Sequence, residues 1–289
     1  MRETTCWPSR ARRIVGPRPR SPRTGRIVVA GDYLGLGGGD GRHPWLDAGT
    51  EAAATVDLLR VTPAVLGRLG VPVPTQSDLV GFSQGGHTTM ASARVITAGA
   101  SIPFGIRSII GISGPYVLSE VDVPALMDGR SDPNVRSLAL ARLTLSAELR
   151  GNDLAHMYAP GRRDRVHRLF DGSKTDVEVV RALPPDPRTI FSDWGWRELG
   201  DGTSDFGRWL ADTSGVCQEW GRDADVTLMY GRLDTSALPR NTRLCAEHLN
   251  VEGARLQVIS LGDVDHIESG VIGTDRAARI LADRDRLRR

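Results

Sequence analysis

The sequence predicts an α/β fold, a mostly parallel sheet flanked by helices. Three observations carry this expectation. Short runs rich in Ile, Val and Leu recur at residues 27–30, 78–82, 106–112, 225–230 and 255–261. Helical patterns lie between most of them, and Gly, Ser or Asp follows each run. Runs that are apolar on both faces suit parallel strands, whose neighbours are joined through helical crossovers.

Each element follows in order. Residues 1–26 are rich in Arg, Pro and Ser and have no periodicity beyond Ile14-Val15, so they read as a poorly ordered N-terminal segment. Residues 27–30 (Ile-Val-Val-Ala) read as a buried parallel strand that ends in a glycine-rich loop. Residues 50–69 form a helix with Val56, Leu59 and Leu66 on one face, and Pro63 predicts a kink or break. A strand at 78–82, a helix at 85–98 and a strand at 106–112 follow, closed by Ser113-Gly114-Pro115. The alternation then stops over residues 116–220, which hold four of the six Trp, Pro-rich joints and helical patterns. One such helix is expected to open at Asp132-Pro133 and run through Leu149. Strand 225–230, helix 238–249, strand 255–261 and helix 270–287 complete the pattern. The expected organisation is a core of 27–115 and 221–289 with a helical cap insertion at 116–220.

Composition excludes several function classes. The chain has 289 residues, 40% hydrophobic and 25% charged, which is an ordinary globular balance. No apolar run approaches the length of about 20 residues that spans a bilayer. The formal net charge of +2 conceals an asymmetry. Residues 1–26 carry eight Arg against Glu3, whereas the remainder carries 29 basic and 34 acidic residues. An acidic body without a basic stripe argues against nucleic acid as a partner. Three cysteines (Cys6, Cys217, Cys245) without CxxC or zinc-type spacing argue against a bound metal. The start has no export signal: Arg12-Arg13 is followed by Pro17, Pro19 and Pro22 where an apolar segment belongs. The glycine loop at 35–41 matches neither phosphate-binding pattern, so no nucleotide cofactor is expected.

The sharpest motif is Gly81-Phe82-Ser83-Gln84-Gly85, placed between an expected strand and an expected helix. G-x-S-x-G in that setting reads as a nucleophile elbow. The serine occupies a tight strained turn, and Gly81 and Gly85 keep neighbouring backbone from clashing. The backbone N–H of Gln84 then faces the developing oxyanion at a helix N-terminus. A nucleophilic serine needs a base and a group that orients the base, in chain order Ser, Asp or Glu, His. Asp234 and His266 each lie just past an expected strand, at the sheet edge where α/β proteins place ligands. Against these readings, Asp234 could simply cap the following helix, and His266 could be a surface residue. His43, His87, His156, His167 and His248 are less well placed: two lie in helices and two in the insertion.

With these residues in place, the sequence resembles α/β-hydrolase-fold serine hydrolases, and within them the secretory lipase/esterase group. The resembling segments are Gly31-Asp32-Tyr33-Leu34-Gly35-Leu36-Gly37, His43-Pro44-Trp45, the Ser83 elbow, Tyr230-Gly231-Arg232-Leu233-Asp234 and Asp263-Val264-Asp265-His266. The resemblance implies the α/β-hydrolase fold, a Ser83–His266–Asp234 triad, an acyl-enzyme, a helical cap and a small ester or lipid substrate, with no cofactor. A peptidase of the prolyl-oligopeptidase type shares the same triad and stands as the alternative. It also implies further strands upstream, one of them ending in an oxyanion loop and lying between 27–30 and 78–82. Ahead of Ile27 the sequence offers no such strand and no His. The expectation is a start downstream of the ancestral one, with an impaired hydrolase remnant as a second alternative. An upstream start would leave room for secretion, and only then could Cys217 and Cys245 pair.

Overall fold

The computed structural model describes residues 26–133, 135–220 and 224–286. The expectations for residues 1–25 lie outside the described residues. Four parallel strands form one sheet: β1 (Gln76–Phe82), β2 (Gly105–Ile112), β3 (Asp225–Tyr230) and β4 (Arg255–Ser260), in the order β1-β2-β3-β4. Helices α1 (Ala48–Arg68) and α2 (Gln84–Thr97) bracket β1 in the chain. Between β2 and β3 come α3 (Val123–Asp128), α4 (Arg136–Leu149), α5 (Arg162–Leu169), α6 (Asp176–Ala182), α7 (Asp193–Glu198) and α8 (Asp205–Ser214). Helix α9 (Pro239–Val251) joins β3 to β4, and α10 (His266–Arg286) follows β4.

The period of two along each strand divides the core between the two sheet faces. Ile109 of β2 and Val226 and Leu228 of β3 pack with Leu59 of α1, Met90 of α2 and Leu249 of α9. The intervening Ile110, Ile112 and Met229 turn to the other face and meet Ala277 and Leu281 of α10. A sheet covered on both faces has no polar side, which is why β2 and β3 lack the polar alternation of a one-sided sheet.

Residues 116–220 carry a separate apolar cluster built on Leu140, Leu143, Leu145, Ile190, Phe191 and Phe206. Among the described residues of this stretch, extended pairing is limited to one antiparallel bridge, Tyr158 with Phe191. The stretch is tied back to the core. The Thr213 Oγ1 atom accepts from Ala48 N and donates to Leu46 O, and Trp209 Nε1 donates to Asp47. Cys217 and Cys245 form a disulfide, with Cα atoms 5.3 Å apart, which fastens the end of this stretch to α9.

Three expectations need correction. Residues 27–30 form no strand, and Ile27, Val28 and Val29 are exposed, Val28 to 84%. A strand needs a ladder partner, and a cavity of about 700 Å³ separates this segment from β1. Its end is anchored by ion pairs from Arg26 to Asp78 and Asp285. Among the described residues, no strand pairs with the outer edge of β1. Helix α1 runs unbroken through Pro63. Packing of Leu59 and Leu66 on either side of it outweighs the one backbone bond that proline forfeits. Helix α4 opens at Arg136 and not at Asp132-Pro133. No helix among the described residues is long and apolar enough to cross a membrane.

The disulfide closes a segment of 28 residues between two buried positions. Chain-entropy arguments give such a link about 3–4 kcal/mol. A Cys217→Ala/Cys245→Ala variant should therefore unfold at a correspondingly lower urea concentration, by circular dichroism. An unchanged midpoint would contradict this.

Candidate active site

Ser83 stands between β1 and α2 with φ 57° and ψ −123°, in the left-handed half of backbone space that non-glycine residues rarely enter. The turn is held from both sides. The Ser83 N–H donates to the Ile112 carbonyl of β2 at 2.9 Å, and His87 N donates to Ser83 O at 3.2 Å. Gly81 is obligatory here, because a Cβ on it would sit 1.9 Å from the Gly85 carbonyl oxygen. Gly86 is tight as well, with a Cβ falling 3.1 Å from both Gly114 Cα and Ile112 O. The symmetric expectation for Gly85 fails, since a Cβ there meets nothing within 4 Å. Gly85 borders the cavity beside β1, so its side of the turn is open.

Asp234 and His266 arrive from the ends of β3 and β4. The two loops are pressed together: Leu233 N donates to Val264 O, Arg232 N donates to Gly262 O, and a Cβ on Gly231 would lie 2.5 Å from Val264 O. Asp234 is buried, 2% exposed. Its Oδ1 accepts from the N–H groups of Ser236 and Ala237 at 2.9 and 2.8 Å, and its Oδ2 faces His266 Nδ1 at 2.8 Å. A carboxylate only accepts, so Nδ1 carries the imidazole proton. That leaves the lone pair on Nε2, which lies 2.9 Å from Ser83 Oγ. His266 is the first residue of α10, not a loop residue ahead of it. Its ring lies 4.8 Å from that of Phe82, and its carbonyl accepts from Ser269 Oγ at 2.7 Å.

The competing residues are engaged elsewhere. Asp263 pairs with Arg232, and Asp265 exchanges hydrogen bonds with Glu268 at the start of α10. His156 and His167 pair with Glu198 and Glu148 in the helical stretch. His43 and His87 are buried beneath the Ser83 turn. Around them lies a polar cluster that sequence reasoning missed: Glu51, the Gln84 side chain and the Thr213 carbonyl. Glu51 and Thr213 lie 36 and 126 residues from His87, which leaves no local spacing to detect. Asp122 was equally hidden. Burial pushes its carboxyl up to about 7, although Asn241 Nδ2 donates to Oδ1, and its Oδ2 has no partner among the described residues. The charge of Asp234 raises it further.

No protein-family model matches the sequence, and no curated protein matches it. Solved structures do. A putative hydrolase from Legionella pneumophila superposes with a TM-score of 0.77 at 20% identity, covering 86% of this chain and 67% of that one. The G231F mutant of LipA, the rice cell wall degrading esterase of Xanthomonas oryzae, gives a TM-score of 0.75 at 24% identity over 87% of this chain and 70% of that one. The chain has the α/β-hydrolase fold. Candida antarctica lipase A in its closed state is a more distant match, with a TM-score of 0.59 and 12% identity over 78% of this chain and 52% of that one. Within an α/β-hydrolase fold, Ser83, Asp234 and His266 occupy the carboxyl ends of β1, β3 and the connection after β4.

Two outcomes follow from these contacts. Gly81→Ala must displace the Gly85 backbone and should lower stability by about 1–3 kcal/mol, measured by urea unfolding. Asp122 binds a proton in the folded protein from about pH 4 to about pH 7, where the unfolded chain has released it. The folded state holds the extra proton, so stability falls as pH rises through that window. Asp122→Asn should abolish this part of the slope in pH-dependent unfolding; an unchanged slope would refute the assignment.

Proposed function

We propose that the protein is a serine hydrolase that cleaves carboxylic esters of small molecules or lipids. The single observation supporting this most strongly is the hydrogen-bonded chain from Asp234 Oδ2 through His266 to Ser83 Oγ, with distances of 2.8 and 2.9 Å. In this reading Ser83 Oγ attacks the ester carbonyl carbon while His266 Nε2 takes its proton. The tetrahedral intermediate carries its negative charge on the former carbonyl oxygen, beside the Gln84 backbone N–H at the start of α2. Collapse expels the alcohol, protonated by His266, and leaves an acyl-enzyme on Ser83. Water then repeats the sequence and releases the acid. Asp234 keeps the imidazole proton on Nδ1 and stabilises the imidazolium that forms in each half-reaction.

No cofactor enters these steps. The helical stretch 116–220 serves in this reading as a cap on a core formed by 27–115 and 221–289, a role supported by its own apolar cluster and its place between β2 and β3. The neighbours named as esterase and lipase favour ester substrates over peptides.

A fluorophosphonate probe tests the reading. Wild-type protein should be labelled and should hydrolyse p-nitrophenyl esters, and Ser83→Ala should lose both. His266→Ala should reduce kcat by about 10⁴-fold or more, and Asp234→Asn by about 10⁴-fold, through the wrong imidazole tautomer. Folded wild-type protein that neither reacts with the probe nor turns over esters would overturn the assignment.

A further inference from the structure

Beneath the Ser83 turn, six polar groups form one hydrogen-bond chain whose donor and acceptor roles are forced by chemistry. The Leu34 carbonyl only accepts, so His43 Nδ1, 3.1 Å away, carries its proton and His43 Nε2 is an acceptor. Burial holds His43 below its ordinary pKa, in keeping with a neutral ring. The Gln84 atom 2.8 Å from that Nε2 is therefore an amide nitrogen, and the same nitrogen lies 2.8 Å from Glu51 Oε1, which also only accepts. Both amide hydrogens are thus committed. On the far side, Glu51 Oε2 meets His87 Nδ1 at 2.7 Å, and His87 Nε2 donates to the Thr213 carbonyl at 2.9 Å. Burial lowers the His87 pKa, but Glu51, the Thr213 carbonyl and Asp122 together more than offset this and leave it raised.

Glu51 and His87 are 1% and 0% exposed. Removing a carboxylate from water costs several kcal/mol, and an apolar pair of similar volume would fill this space more favourably. What apolar side chains cannot do is fix the orientation of an amide. Gln84 is held at its main chain too, because its carbonyl accepts from Thr88 Oγ1, which is itself bonded to Tyr33 OH. Gln84 is the residue immediately after Ser83, and its peptide N–H is the oxyanion donor in the function proposed above.

We infer that Glu51 and His43 are positioning residues that lock the Gln84 side chain and so hold the Ser83–Gln84 peptide N–H on the developing oxyanion. Thr213 and His87 fix the Glu51 carboxylate in turn, linking this alignment to the end of α8. The inference rests on the hydrolase reading.

The test uses the full-length protein, with rates normalised to fluorophosphonate-titratable sites so that only folded, competent enzyme is counted. Gln84→Met keeps the backbone N–H and the side-chain length but deletes both amide bonds. It should lower kcat for p-nitrophenyl butyrate about tenfold with KM changed less than about twofold. This is milder than the roughly 10²–10³-fold loss on removing an oxyanion donor itself. The rate of fluorophosphonate inactivation should fall by the same factor. Glu51→Gln leaves one acceptor oxygen for two donors and should give a similar fall. The double variant should be no slower than Gln84→Met alone, because both changes act through one amide. Wild-type kcat in Gln84→Met, or losses that multiply in the double variant, would overturn the positioning role while leaving the hydrolase reading intact. A wild type that the probe does not label would overturn both.

Discussion

The Ser83 backbone is the constraint on which the rest of the site depends. A non-glycine residue at positive φ costs about 1–3 kcal/mol and persists only where its surroundings leave no alternative. Here the surroundings are specific. Ile112 O captures the Ser83 N–H, and the backbones at Gly81 and Gly85 approach too closely for any Cβ on Gly81. The strain lifts the Ser83 side chain out of the sheet-to-helix turn, within hydrogen-bond distance of His266.

The parallel sheet explains why His266 and Asp234 can meet that side chain. In parallel order every strand ends at the same edge, so the segments after β1, β3 and β4 emerge side by side although they are far apart in the chain. Backbone bonds between the β3 and β4 loops then hold Asp234 and His266 in register. The polar cluster under Ser83 works differently. It draws on the loop at Leu34, on α1, on α2 and on the end of α8, and makes the turn answerable to elements outside the sheet.

Much of this was legible in the sequence, and for identifiable reasons. The strands at 105–112 and 225–230 announce themselves because burial on both faces demands continuous apolar runs, whereas those at 76–82 and 255–260 are partly exposed and show only short apolar stretches followed by turn residues. Ser83, Asp234 and His266 stood out because each follows such a run, and the structure brings the three together. The run at 27–30 carried the same signal yet forms no strand. Its composition suits a ladder, but among the described residues no ladder partner lies beside it, and a cavity separates it from β1. The break allowed at Pro63 does not occur, since the local penalty was overridden by the apolar face of α1.

Apart from residues 27–30, the sequence by itself determined the element types, the parallel character of the sheet and the residue types gathered at the strand ends, because these depend on short-range periodicity and on turn chemistry that neighbours in the chain decide. Tertiary structure alone decided which polar groups share the buried space below Ser83, that Gly81 and not Gly85 bears the steric constraint, and that Cys217 faces Cys245. The physical reason is the same in each case. Burial and hydrogen-bond satisfaction depend on what lies across the core, and contacts spanning 28, 36 or 126 residues leave no trace in local spacing.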